Sequence, residues 1–229
     1  MIESARISQL AGILQKYNIC GDVSPIYNAL GKLNTTNQFV LEELRMDFDA
    51  APRNTRPILN LIYVELWMNI PNDDFLDRNK WENYSFKMKI IGTDNAFIDH
   101  IASWHLDFDN SGSACMVHPY YHLTYGGQSM DNIDLGETAL FPVPRIAYPP
   151  MDIFIGIDFI LQNFLPKNQY NKIREDTNYQ CGLQKAQQWL WKPYLSSILS
   201  NILNKDFGVD QNESDKLKAL STAFCPSLY

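Results

Sequence analysis

The 229-residue chain has a mass of 26.4 kDa, and its composition is 45% apolar, 13% aromatic and 20% charged. This profile is typical of a globular domain that can bury a core without a metal or disulfide. The net charge of −7 and the pI of about 5.0 argue against broad nucleic-acid binding, which needs clustered Lys and Arg. No apolar run reaches the roughly 20 residues that a membrane helix requires.

The four cysteines are widely spaced and form no CxxC pair. The first residues lack the long apolar stretch of a secretory signal. We therefore expect reduced thiols in a soluble, cytoplasmic protein.

Hydrophobic spacing in the first half of the chain changes from a helical to a strand period. Residues 4–17 carry apolar side chains at helical spacing, which predicts an amphipathic helix, and a second short helix is expected over residues 24–30. Residues 40–49 then alternate apolar and charged side chains, which predicts a strand with one buried and one solvated face. Residues 58–70 are more continuously apolar and predict a central strand covered on both sides.

Three further strands are expected before the chain becomes irregular. Residues 86–90 alternate in the same way, and residues 101–109 and 116–125 predict two strands joined by a short turn at residues 110–113. Short connections favour an antiparallel meander of about five strands.

Prolines mark the passage to a helical second half. Four prolines between Pro142 and Pro150 fix φ and exclude both a helix and a central strand. Helical spacing then returns at residues 153–164. Further helices are expected over residues 169–175, 182–203 (kinked at Pro193) and 213–223.

These elements predict a single α+β domain over residues 1–229. Its parts are a helical start (1–35), an antiparallel sheet (38–127), a proline-rich crossing (128–150) and a helical part (151–229). The sequence leaves open whether residues 58–70 form an internal strand or an edge that pairs in a homodimer.

All four histidines lie in or next to the last two predicted strands. Because side chains alternate across a strand, His105 and Asp107 share one face, and His118, Tyr120 and His122 share a face on the next strand. With a four-residue turn, His105 would lie directly opposite His118, with Cβ atoms about 4.5–5.5 Å apart.

One interpretation of this face is catalysis. An imidazole beside a carboxylate can act as a general acid or base. The face could therefore serve a metal-free hydrolase or phosphodiesterase, with His105 and His118 as acid and base, Asp107 as the orienting carboxylate and His122 as a further candidate.

The interpretation we favour is binding of a protein partner or small ligand through the histidines and the proline-rich passage. Candidate contacts are Tyr120, Arg145 and Asp152. The guanidinium of Arg145 could hold a carboxylate or phosphate, although it could also clamp loop carbonyls. Asp152 equally suits the start of the following helix.

A metal site is the weakest alternative. Cys115, His118 and His122 have a spacing similar to that of zinc ligands. In a regular strand, however, Cys115 points away from the two histidines. We therefore expect no metal and no cofactor.

Three stretches of the chain together resemble a bacterial family catalogued as a domain of unknown function. They are residues 104–107 (WHLD), residues 118–127 (HPYYHLTYGG) and residues 144–152 (PRIAYPPMD). The resemblance implies a bacterial cytoplasmic protein and transfers no catalytic residue.

Overall fold

The computed structural model describes residues 3–73, 81–108, 121–127, 130–134 and 146–196. Its elements, in chain order, are α1 (Ser4–Lys16), α2 (Ser24–Thr36), β1 (Gln38–Phe48), β2 (Leu59–Pro71), β3 (Ser85–Asp94), β4 (Asp99–Phe108), β5 (Tyr121–Tyr125), β6 (Ile146–Ala147), α3 (Ile153–Phe164), α4 (Lys167–Arg174), α5 (Thr177–Ala186) and a π-helical segment (Gln187–Trp191). This is the α+β architecture that the sequence predicts. The helix predicted at residues 213–223 lies outside the described residues.

The strands form one antiparallel sheet in the order β1-β2-β3-β4-β5-β6, so each strand pairs with its neighbour in the chain. The predicted meander is therefore confirmed, and β2 is an internal strand. The short β6 comes from the proline-rich passage. It lies at the sheet edge, where the missing N–H group of a nearby proline is tolerated.

One face of the sheet forms the core together with the helices. Leu66 of β2 pairs with Met88 of β3 and with Leu44 of β1, and all three side chains are buried. The same cluster includes apolar residues of α1, α2, α3 and α5. Each fully buried aliphatic side chain contributes about 2 kcal/mol to folding. This face and the helical layer on it therefore supply most of the apolar burial.

The second face of the sheet points away from that core and is only partly covered. A row across four strands contains Trp67, Lys87, His105 and Thr124, of which the first three are half-buried and Thr124 is buried. The prediction that β2 is buried on both sides is therefore wrong. On this face β2 carries Glu65, the polar Asn69 and the amphipathic aromatic side chains of Tyr63 and Trp67, which tolerate partial contact with solvent.

Several element ends differ from the sequence prediction for local reasons. Helix α2 continues six residues beyond the predicted end, because Leu33 is also buried, and it ends at Asn37 in a left-handed conformation. Helix α5 begins earlier than predicted, since the Asp176 side chain accepts hydrogen bonds from the backbone N–H groups of Asn178 and Tyr179. The π-helical segment ends at Trp191, two residues before Pro193, which has no N–H to donate.

Candidate functional site

The histidine face is the part of the sheet's second face formed by His105, Asp107, His122 and Thr124. His105 pairs with Thr124 and Asp107 pairs with His122. Directly paired residues of antiparallel strands project to the same side of a sheet. The four side chains therefore share one face, as strand alternation predicts.

The predicted pairing of His105 with His118 is wrong. His105 instead meets Thr124, six positions further along the chain, so the register differs from the one that a turn at residues 110–113 would give. Since the displacement is an even number of residues, it changes the neighbours without exchanging the faces. His118 and Tyr120 lie outside the described residues.

Two polar groups of the histidine face, those of His105 and Asp107, contact each other. His105 Nε2 lies 3.3 Å from Asp107 Oδ2, and their side chains are 24% and 40% exposed. His122 is buried and engaged in an interaction of its own. The backbone of Gly127 lies against the His105 ring, since a Cβ at residue 127 would lie 3.2 Å from His105 Cε1 and Nδ1. The Thr124 hydroxyl is buried and has no hydrogen-bond partner among the described residues.

The fourth histidine stabilises a turn. His100 Nε2 lies 2.9 Å from Asp94 Oδ2 at the β3–β4 connection, where the backbone N–H groups of Ala96 and Ile98 also donate to Asp94. The hydrogen bond from His100 and then those from the backbone lower the pKa of Asp94 below its usual value. His100 is thus used in the turn and does not join the histidine face.

Asp152 begins α3. Its side chain accepts a hydrogen bond from the Ile155 N–H at 3.0 Å, as an N-terminal cap does. Burial raises the pKa of Asp152 to about 7, against the lowering effect of the backbone hydrogen bonds. The sequence predicts that Asp152 either contacts a ligand or caps the following helix, and the structure shows the contacts of the helix cap. Arg145 lies outside the described residues.

A cleft of about 890 Å³, which sequence patterns did not reveal, opens on another part of the molecule. Its walls are the turn after α1, the end of β1 with the loop to Arg53, and the junction of α3 with α4. Two contacts tie these walls together. The Asp47 N–H donates to the Ile19 carbonyl at 3.1 Å, and the Tyr17 hydroxyl donates to the Lys172 carbonyl at 3.3 Å.

The cleft combines an apolar floor with charged walls, and we call it the lysine cleft. Phe48 and Phe164 pack at the floor with ring centroids 5.3 Å apart. Arg53, Lys167 and Lys172 line the walls, and within the described part of the chain none of the three forms an ion pair. A pocket of this size with convergent polar groups is typical of small-molecule sites.

The sequence could not reveal the lysine cleft, because its residues come from three distant segments. The two phenylalanines are indistinguishable from other core residues in a periodic pattern. Lys167 and Lys172 look like ordinary solvated charges on a helix. Only the packing of α3 and α4 against the end of β1 brings them together.

Neither a metal site nor a membrane span is found in the described ranges. No group of three His, Cys, Asp or Glu side chains there could hold a metal ion. Cys115 and His118 of the zinc hypothesis fall outside those ranges. Likewise, none of the helices described is both long and apolar enough to cross a membrane.

Comparisons with known proteins add no relative. No protein family, curated protein or solved structure matches this chain. The resemblance to a bacterial family of unknown function therefore stays a prediction, and the function has to be argued from the geometry alone.

Proposed function

We propose that this protein binds a small molecule in the lysine cleft. The observation that carries the proposal is a concavity of about 890 Å³ with an aromatic floor, lined by three cations that form no ion pair with the residues the structure describes. Isolated surface lysines are ordinary, whereas three exposed cations that line one concavity with an apolar floor form a more specific feature. The binding role expected from the sequence is kept in this proposal, and its location moves from the histidine face to the cleft.

The proposed setting is the bacterial cytoplasm. Cys20 and Cys181 are free thiols, and a reducing compartment keeps thiols in that state. Burial raises the pKa of Cys20 to about 12, so this thiol is structural and unreactive at neutral pH.

A pair of tryptophan variants tests the proposed function. Ala50 is exposed on the cleft wall, so Ala50→Trp fills the cleft without entering the core. Ala96 is exposed at the β3–β4 turn, and Ala96→Trp is the matched control. We expect fragments that bind the wild type in ligand-observed NMR to bind the control and to lose binding to Ala50→Trp. Fragments that bind all three proteins equally, or no bound fragment, would contradict the proposal.

A second candidate is a hydrolase or phosphodiesterase at the histidine face. The contact of 3.3 Å between His105 and Asp107 favours it, because the carboxylate can orient the ring. The probe is bis(4-nitrophenyl) phosphate, whose cleavage releases a coloured product. Turnover that disappears in both His105→Gln and Asp107→Asn supports this candidate. Absent turnover, or turnover that both variants retain, removes it.

A further inference from the structure

The charge of the lysine cleft is opposite to that of the protein. The chain carries a net charge of −7, yet Arg53, Lys167 and Lys172 all line this one concavity. Two carboxylates, Asp47 and Asp49, line it as well. Asp47 is already paired, since its Oδ1 lies 2.8 Å from a guanidinium nitrogen of Arg45 outside the cleft. The free charge that a ligand meets is therefore predominantly positive.

The floor of the cleft has a different chemistry. The rings of Phe48 and Phe164 are inclined by 34° to each other; Phe164 is partly exposed and presents apolar area to the cleft, while Phe48 and Ile173 are buried behind it. Such a surface gains free energy by covering apolar area, about 25 cal/mol for each Å² removed from water. An inorganic anion would leave this surface wet, so the floor favours a ligand with an apolar body.

The start of α4 adds to the positive potential. Pro166 and Lys167 both line the cleft, and no side chain caps the helix at Pro166. The N-terminal end of a helix carries a partial positive charge. This contribution reinforces the three side-chain cations, which carry the inference together with the apolar floor.

We infer that the ligand is an organic anion with a ring-sized apolar body, its carboxylate or phosphate facing Lys167 and Lys172 and its body covering the Phe48–Phe164 floor. This inference rests on the proposed function. It narrows a general binding site to one chemical class.

Three naphthalene compounds of matched shape test the ligand class by isothermal titration calorimetry. They are 2-naphthoate, 2-naphthyl phosphate and the neutral 2-naphthamide. We expect both anions to bind roughly 10-fold more tightly than the amide, because each exposed ion pair contributes about 0.2–1 kcal/mol. The order of the two anions distinguishes a carboxylate from a phosphate ligand.

Charge removal in the protein gives the complementary test. The double variant Lys167→Gln, Lys172→Gln should bind the two anions roughly 10-fold more weakly and the amide as the wild type does. The matched control is Lys192→Gln, which alters an exposed lysine outside the cleft and should bind all three compounds normally.

The two proposals fail in different ways. If the amide binds as tightly as the anions, or the double variant keeps the preference for anions, the inferred ligand class is wrong while cleft binding stands. If none of the three compounds binds, both the ligand class and the binding role assigned to the cleft are contradicted.

Discussion

The histidine face and the lysine cleft contrast in how their charged groups are used. On the histidine face, His105 and Asp107 lie 3.3 Å apart, and both Asp107 and His122 have further interactions. In the lysine cleft, Lys167 and Lys172 have no ion-pair partner within the described ranges, and they face an aromatic floor.

This contrast shows that the surroundings of a residue say more about its function than its residue type does. Histidine and aspartate attract attention because they are common in active sites, but here their interactions with each other already account for part of their polar capacity. A lysine on a helix, by contrast, is rarely considered as a functional candidate. The absence of an ion-pair partner among the described residues becomes informative only because the fold places Lys167 and Lys172 beside an apolar floor.

The largest predicted change is in the pH dependence of stability. It comes from Asp152, which begins α3, and the end of α3 forms one wall of the lysine cleft. Its folded pKa of about 7 lies above the usual 3.8. The folded state thus keeps a proton that the unfolded chain releases, and stability is full below about pH 4 and falls as the pH rises to about 7. Since one pKa unit corresponds to about 1.4 kcal/mol, the loss of stability over the whole window is about 4 kcal/mol.

The measurement is urea unfolding of the wild type and Asp152→Asn between pH 4 and 8. Asparagine is as good a helix cap as aspartate and has no charge to bury. The free energy of unfolding of Asp152→Asn should therefore increase relative to that of the wild type as the pH rises. Parallel pH profiles for the two proteins would contradict the titration assigned to Asp152.

A smaller effect is expected from the carboxylate that joins α3, α4 and α5. Asp158 accepts hydrogen bonds from the Tyr179 hydroxyl at 3.1 Å, the Tyr170 hydroxyl at 3.2 Å and Arg174 at 3.4 Å. Burial raises the pKa of Asp158, and the charge of Arg174 opposes the shift. Asp158→Ala should cost about 2 kcal/mol, because it leaves several donors without an acceptor.

The same truncation on the histidine face provides the comparison. Asp107 is 40% exposed and water can replace it, so Asp107→Ala should cost about 1 kcal/mol or less. Both variants are measured by urea unfolding at pH 7. Equal losses of stability would show that the two regions do not differ as described.

The smallest effect is expected for binding in His105→Gln. The lysine cleft and the histidine face share no residue, so the affinity for 2-naphthoate should stay within about 2-fold of the wild type. Calorimetry on the folded variant decides the point. A loss comparable to that of the double lysine variant would mean that the ligand contacts the histidine face.

Local patterns predicted much of the fold. The helical spacing of Ile7, Leu10 and Leu14 and the alternation of Leu44, Met46 and Phe48 reappear as buried faces of α1 and β1. These patterns work because one buried face is enough to fix the period of an element.

Long-range geometry could not be predicted in the same way. The pairing of His105 with Thr124 depends on the length of the connection between two strands, which alternation alone does not encode. The lysine cleft depends on how α4 meets the end of β1. Both features belong to tertiary packing, whereas hydrophobic periodicity reports only on single elements.

The most direct test of the central claim is to locate bound 2-naphthoate by NMR. We expect intermolecular NOEs from its ring protons to the Phe164 ring and the Ile173 methyl groups at the floor of the cleft. NOEs to the His105 ring or the Thr124 methyl group instead would contradict the assignment of binding to the lysine cleft.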